Sequence, residues 1–411
     1  MNNSEYLLKY KRALSGIEDD PHKKRNLFHL QWHITDVCNL KCKHCYSDDN
    51  CIRDLPLQQL KEIFDKYLKA ILKWNMIGEI SLTGGEPVLR NDFFELLDYI
   101  HRRWKENPCF LVSLMSNGTL ITEELVSRLK SYWPMLPSVQ ISMDGVSKEI
   151  HEELRGKGVF ERTKNSFALF HEKGFGTALH FVVHKKNYDD AFDILELGEE
   201  LKVKRITLSR LVPEGRGKNL GMLTPSELKK LWDYLSEKCL DFYPKGVFLA
   251  RSRCDLWHLT DIASALYSLK WGAQEETFPS YLQIGQRCPI GINGLVVDAD
   301  GTVLPCKRLP ISIGNITQDT FFKIWYSSKL LWKFRYRERY MKGKCQDCPF
   351  LVDEELRHLC AGGSPCISYS DCGDCFMPDS QCWFDPYSKE QKEEVRKWKK
   401  LILNQKKTYS S

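Results

Sequence analysis

Between residues 27 and 242, short apolar and β-branched runs alternate with longer stretches whose apolar positions recur every three or four residues. The runs LFHLQWHIT (27–35), IGEISLT (77–83), FLVSLMS (110–116), VQISMD (139–144), TALHFVV (177–183) and KRITLSRL (204–211) predict strands. Helical spacing is found in LPLQQLKEIFDKYLKAILKW (55–74), DFFELLDYIHRRW (92–104), EELVSRLKSYW (123–133), residues 147–172, YDDAFDILELGEEL (188–201) and TPSELKKLWDYLSEKCL (224–240). Asn91, Thr122 and Thr224 stand where helix caps belong, and Pro225 suits a first turn. Strands alternating with helices of this length imply parallel βαβ units. Six units, where a closed barrel of this kind has eight, predict an α/β fold: an open, partial (β/α)6 TIM-like barrel. In such sheets the chemistry gathers beyond the C-terminal strand ends.

After residue 242 the pattern changes. Residues 243–287 are poorly patterned and read as a bridge, and 288–385 as a small second domain. In that domain GLVVDADGTVLPC predicts a hairpin with Asp300-Gly301 at its turn. Residues 321–340 carry helical signals, and 345–382 little regular structure, so that segment needs staples. The remaining pieces are an N-terminal extension (1–26) and a helical tail (386–411).

Composition sharpens the picture through cysteine. Of 16 cysteines, four lie at 38–51 and nine at 288–382. The N-terminus is charged and lacks a signal-peptide core, which predicts a cytoplasmic protein; there, clustered thiols read as metal ligands, not disulfides. No stretch reaches about 18 uninterrupted apolar residues, so no membrane span is expected. The net charge of +6 is spread along the chain without a basic stripe, which argues against nucleic acid as a partner.

The first strand runs directly into TDVCNLKCKHCYS, which places Cys38, Cys42 and Cys45 at C-x3-C-x2-C spacing. Three thiolates on one loop suit three irons of a [4Fe–4S] cluster and leave the fourth iron open. A zinc knuckle completed by His44 or Cys51, or an electron-transfer loop, is the structural alternative. The second strand ends in Thr83-Gly84-Gly85-Glu86-Pro87, the third in Ser116-Asn117-Gly118, the fourth in Ser142-Met143-Asp144-Gly145 and the sixth in SRLVPEGRG with Arg210. His151-Glu-Glu-Leu-Arg155-Gly156 follows the fourth. Turn and cap chemistry explains each of these singly.

Together, the cysteine loop and these strand ends resemble the radical S-adenosylmethionine (SAM) superfamily. The resemblance implies SAM bound at an open iron, with Gly84, Gly85, Glu86 and Pro87 at its amino group. Ser116, Asn117, Ser142, Asp144, Arg155 and Arg210 would face its ribose and carboxylate. One electron from the cluster would then yield a 5′-deoxyadenosyl radical that takes hydrogen from substrate.

The spacing of Cys288-x12-Gly-x4-Cys306 resembles the SPASM domain, which carries two auxiliary [4Fe–4S] clusters. The family order assigns Cys288, Cys306 and Cys366 to one cluster, its fourth ligand missing or supplied by Cys254, and Cys345, Cys348, Cys360 and Cys382 to the other. The chain departs from that pattern: eleven residues separate Cys348 from Cys360 where the family has five, and Ser364 stands at a cysteine position. Cys372 and Cys375 are additional, and either is an alternative ligand. Structural zinc at the C-x2-C pairs is the other reading.

The SPASM resemblance implies a maturase of ribosomally made peptides or proteins, with a flavodoxin or ferredoxin as reductant. About 26 residues precede the first strand, too few for the N-terminal peptide-recognition domain that many such maturases carry, so a peptide substrate would need a separate peptide-recognition protein or direct docking. Lys307 follows Cys306 where sulfatase maturases carry an aspartate base, which argues against that activity and leaves no protein catalytic base named. A tetrapyrrole or other small-molecule substrate is the alternative, and an iron–sulfur electron carrier the non-enzymatic one.

Overall fold

The computed structural model describes residues 27–46, 54–250, 255–260, 288–353, 356, 360 and 362–408. The N-terminal extension, Cys51, Cys254 and most of the bridge lie outside the described residues.

The strand–helix alternation builds β1 (Leu27–His33), α1 (Leu57–Trp74), β2 (Ile77–Thr83), α2 (Phe93–Glu106), β3 (Phe110–Ser116), α3 (Glu123–Lys130) and β4 (Ser138–Ser142). It continues through α4 (Lys148–Arg155), α5 (Phe160–Glu172), β5 (Gly176–Val183), α6 (Ile194–Glu200), β6 (Arg205–Arg210) and α7 (Pro225–Phe242). The expected helix 147–172 is two helices, because Gly156 and Gly158 take positive φ between them. Thr122 and Thr224 cap as expected, the latter in a capping box with Glu227. At α2 the cap residue is Asp92 instead of Asn91, and its carboxylate binds Arg90 Nε at 2.5 Å instead of the helix.

A seventh strand, β7 (Phe248–Ala250), joins β6 in parallel. Three residues are too few to show a period, so this stretch looked unpatterned. The hairpin β8 (Gly294–Val297) and β9 (Thr302–Leu304) turns at Asp300-Gly301 as expected, with Gly301 at φ +81°. It does not stand apart from the barrel. β8 pairs in parallel with β1, His29 to Trp32 against Gly294 to Val297. One open sheet results, ordered β10-β9-β8-β1-β2-β3-β4-β5-β6-β7, where β10 is Gly314–Asn315.

Parallel strands buried by helices need apolar outer faces. Phe28, Leu30 and Trp32 of β1 are fully buried, and α1 packs there through Leu60, Ile63, Phe64, Tyr67 and Ile71. Burial of each such side chain stabilises by about 1.5–3 kcal/mol. The opposite strand face is polar: His29 bonds Ser81 at 2.9 Å, Ser81 bonds Ser113 at 3.1 Å, and His180 bonds Ser209 at 3.0 Å.

Residues 321–340 form α8 (Phe321–Ser327) and α9 (Lys329–Arg335), divided at Ser328, whose hydroxyl caps α9. Among the described residues the cysteine-rich segment holds a 3-10 turn (Gly343–Asp347) and the helices α10 (Pro349–Val352) and α11 (Pro365–Cys372), and α12 (Lys389–Thr408) ends the described chain. No helix among the described residues is long and apolar enough to cross a membrane.

Candidate functional site

Beyond β1 the backbone stays zipped to β2. Ile34 N donates to Thr83 O at 2.9 Å, Gly85 N to Thr35 O at 2.7 Å and Glu86 N to Val37 O at 2.7 Å. A Cβ at Gly84 would lie 2.2 Å from Thr35 O, and one at Gly85 2.2 Å from Val37 O. The close approach these glycines permit is therefore to the chain's own cysteine loop, which they press against the end of β2. Arg90 Nη1 donates to Ile34 O at 2.8 Å, and Pro87 is buried beneath it in a short 3-10 turn.

The loop then presents Cys38, Cys42 and Cys45. Asn117 Nδ2 donates to Asn39 Oδ1 at 2.9 Å, and Arg216 Nε donates to Cys42 O at 2.9 Å. None of these anchors uses a thiol. The three thiols lie in one another's field, and burial raises the Cys42 pKa to about 11 while Arg155 pulls it back. Such thiols ionise when a soft metal replaces the proton.

Glu86 sits beside this loop, fully buried. It accepts from Ser116 Oγ at 2.9 Å and from Asn117 N at 2.8 Å, and burial lifts its carboxyl to about 7. These donors and Arg155 offset only part of the burial, so a cation at the carboxyl would be favoured there. Asp144 is equally buried but already paired: Arg155 Nη2 at 2.5 Å, His44 Nε2 at 3.0 Å and Val182 N at 2.7 Å. Burial alone would raise its pKa, and Arg155 and His44 outweigh burial, holding it well below the usual range. Asp144 thus ties β4 to the cysteine loop, and Arg155 faces both Asp144 and the thiols of Cys42 and Cys45. Ser142 ends β4 opposite His180. Sequence reasoning passed over His184, which stacks on His44 at 6.3 Å. Burial lowers the His184 pKa to about 4, so that ring is neutral at neutral pH.

Arg210 is placed differently from the SAM-facing role expected of it. It is 1% exposed, with Nη2 at 2.8 Å from Asp379, Nε at 3.3 Å from Asp255 and Nη1 at 3.0 Å from Gln381 Oε1. It clamps the end of β6 to the cysteine-rich segment, and Asp379 in turn accepts from Ser364 N at 2.9 Å.

The later cysteines gather in two sets. Cys288, Cys306 and Cys366 lie in a common field, and burial raises Cys288 to about 11 and Cys306 to about 12. Ser364 Oγ is 3.1 Å from Cys366 Sγ. Cys345, Cys348, Cys360 and Cys382 line one cavity with Lys344, Phe350, Asp379 and Phe384. Four cysteines lining one cavity fit an iron–sulfur cage. Cys372 and Cys375 do not line that cavity. Cys372 instead donates to Ser368 O at 3.1 Å on α11.

Residues 32–198 match the radical SAM superfamily, and residues 288–349 match the iron–sulfur cluster-binding SPASM domain. The chain is therefore a radical SAM enzyme that carries a SPASM domain, and its cofactors are SAM and iron–sulfur clusters.

Among its relatives, an AdoMet-dependent heme synthase of Methanosarcina barkeri is 27% identical over 88% of this chain and 97% of its own length. The mycofactocin maturase MftC of Mycolicibacterium smegmatis is 27% identical over 86% of this chain and 82% of its own length. The solved structure of anSMEcpe with bound AdoMet and Cp18Cys peptide shares the fold at TM-score 0.66 and 22% identity, covering 92% of this chain and 99% of that one.

Proposed function

We propose that this enzyme generates a 5′-deoxyadenosyl radical to abstract hydrogen from a residue of a peptide or protein, the opening step of a crosslink or residue oxidation. When bound, the cluster held by Cys38, Cys42 and Cys45 supplies the electron that cleaves SAM, and SAM supplies the radical. Glu86, fixed by Ser116 and Asn117, receives the SAM ammonium, and Arg155 presents its free donors toward the SAM carboxylate. Gly84 and Gly85 hold the loop in place. Cys288, Cys306 and Cys366 hold one auxiliary cluster, and Cys345, Cys348, Cys360 and Cys382 the other. Supporting the peptide reading are the maturase MftC among the relatives and a solved structure of the same fold that holds a Cp18Cys peptide. The heme synthase, matched over 97% of its length, favours a second reading, a tetrapyrrole substrate.

Anaerobic reconstitution tests the proposal. About twelve irons per chain are expected for three clusters, together with 5′-deoxyadenosine under a strong reductant. Short peptides encoded beside the gene and iron porphyrins are then compared as substrates. A mass change on peptide supports the first reading, and change only on porphyrin overturns it.

The Glu86 carboxyl gives a pH prediction. Its folded pKa, about 7, is raised by burial, so below that value the group is neutral and offers an ammonium no countercharge. SAM affinity is expected to rise as pH increases from about 6 to about 7.5. Glu86→Gln should bind weakly and without that slope. A pH-independent wild-type affinity in equilibrium dialysis contradicts the assignment.

A further inference from the structure

Arg337 follows α9 and is 4% exposed. Its Nη1 donates to Gly363 O at 2.9 Å and its Nη2 to Gly362 O at 3.0 Å, with Cys375 O at 3.5 Å. Its Nε is buried without an acceptor. Arg155 and Arg210 are also buried, and each is paired with carboxylates. Arg337 has no carboxylate within 4 Å among the described residues. A guanidinium keeps its charge at any working pH, so burying one without an anion is costly.

The two carbonyls it holds identify the missing anion. Gly362 and Gly363 lie in the middle of Cys360-Ala-Gly-Gly-Ser-Pro-Cys366, the loop that joins a thiol of the four-cysteine cavity to a thiol of the three-cysteine set. Both glycines are left-handed, at φ +86° and +71°. Gly362 N donates to Cys360 Sγ at 3.2 Å and Ser364 Oγ lies 3.1 Å from Cys366 Sγ, so the stretch that Arg337 grips abuts one thiol of each set. An iron–sulfur cage ligated by thiolates is net negative and becomes more so on reduction, so charge near it tunes its potential.

We infer that Arg337 is the shared counter-cation of the two auxiliary iron–sulfur sites, raising the reduction potential of both. This rests on the reading that those cysteines carry clusters. Arg337 acts through the clusters and is a positioning residue.

The test is an EPR-monitored redox titration of the full chain with Cys38, Cys42 and Cys45 changed to alanine, so that only auxiliary signals remain. Arg337→Gln is expected to shift the reduction equilibrium of both auxiliary centres at least tenfold toward the oxidised form, 59 mV for a one-electron couple. Arg337→Lys keeps the charge and should restore most of that shift. Should the Gln variant lose iron, Cys375→Asp decides the matter. It supplies a carboxylate beside an intact Arg337 and should lower both potentials likewise. Unmoved potentials at full iron content overturn the inference, and so does a shift at one centre alone. Iron-free protein before any Arg337 change would instead refute the cluster reading itself.

Discussion

Replacing Cys38, Cys42 and Cys45 together by alanine is expected to abolish SAM cleavage and remove about four irons per chain, with the fold retained. The second half of that expectation follows from how the loop is anchored. Its contacts to β2, Asn117 and Arg216 run through backbone and amide groups, not thiols. The variant should therefore keep its circular dichroism and its auxiliary iron while producing no 5′-deoxyadenosine. Iron analysis and chromatography of the reaction check both halves. SAM cleavage at the wild-type rate, or undiminished iron, would falsify the assignment of the primary site.

Asp144→Ala should have the largest effect on stability. Removing one partner of a buried pair leaves the other charge stranded, at a cost of about 3–5 kcal/mol. Here Arg155 would be stranded at 7% exposure and His44 would lose its acceptor. Urea unfolding of the reconstituted protein measures the loss, and Asp144→Asn should fall between. The pH dependence has a definite sign. The folded pKa is below the ordinary 3.8, so the contribution is complete above that value and disappears as pH falls through the lower, folded one. The gap between wild type and Asp144→Asn should accordingly be full at neutral pH and close in strong acid. A gap of under about 1 kcal/mol at neutral pH would put Asp144 among ordinary surface pairs.

Much of this was legible along the chain, for identifiable reasons. Strands such as FLVSLMS and the capped helix after Thr224 carry their own periods and caps, so they could be read locally. The thiol loop could be read because its spacing is the chemistry. What escaped was pairing at a distance. Nothing in GLVV names β1 as its neighbour. Arg210 at a strand end looked like a ligand-facing cation, yet its partner Asp379 lies 169 residues later. Arg337 looked like one basic residue among many in a helical stretch, and only burial separates it from Arg339. Gly84 and Gly85 were recognisable as sites of close approach, but not what approaches them.

The ladder between β1 and β8 bears on what substrate the enzyme can admit. β1 leads into Cys38, and the hairpin begun by β8 leads into Cys306, so both redox-bearing stems grow from adjacent rungs of a single backbone lattice. Tyr46 is close enough to feel the charge of both Cys45 and Cys306. Moving one end against the other would break the backbone pairing of His29 to Trp32 with Gly294 to Val297, so the ladder ties their spacing to the fold. A substrate that reaches from one end to the other would meet a separation held by main-chain hydrogen bonds.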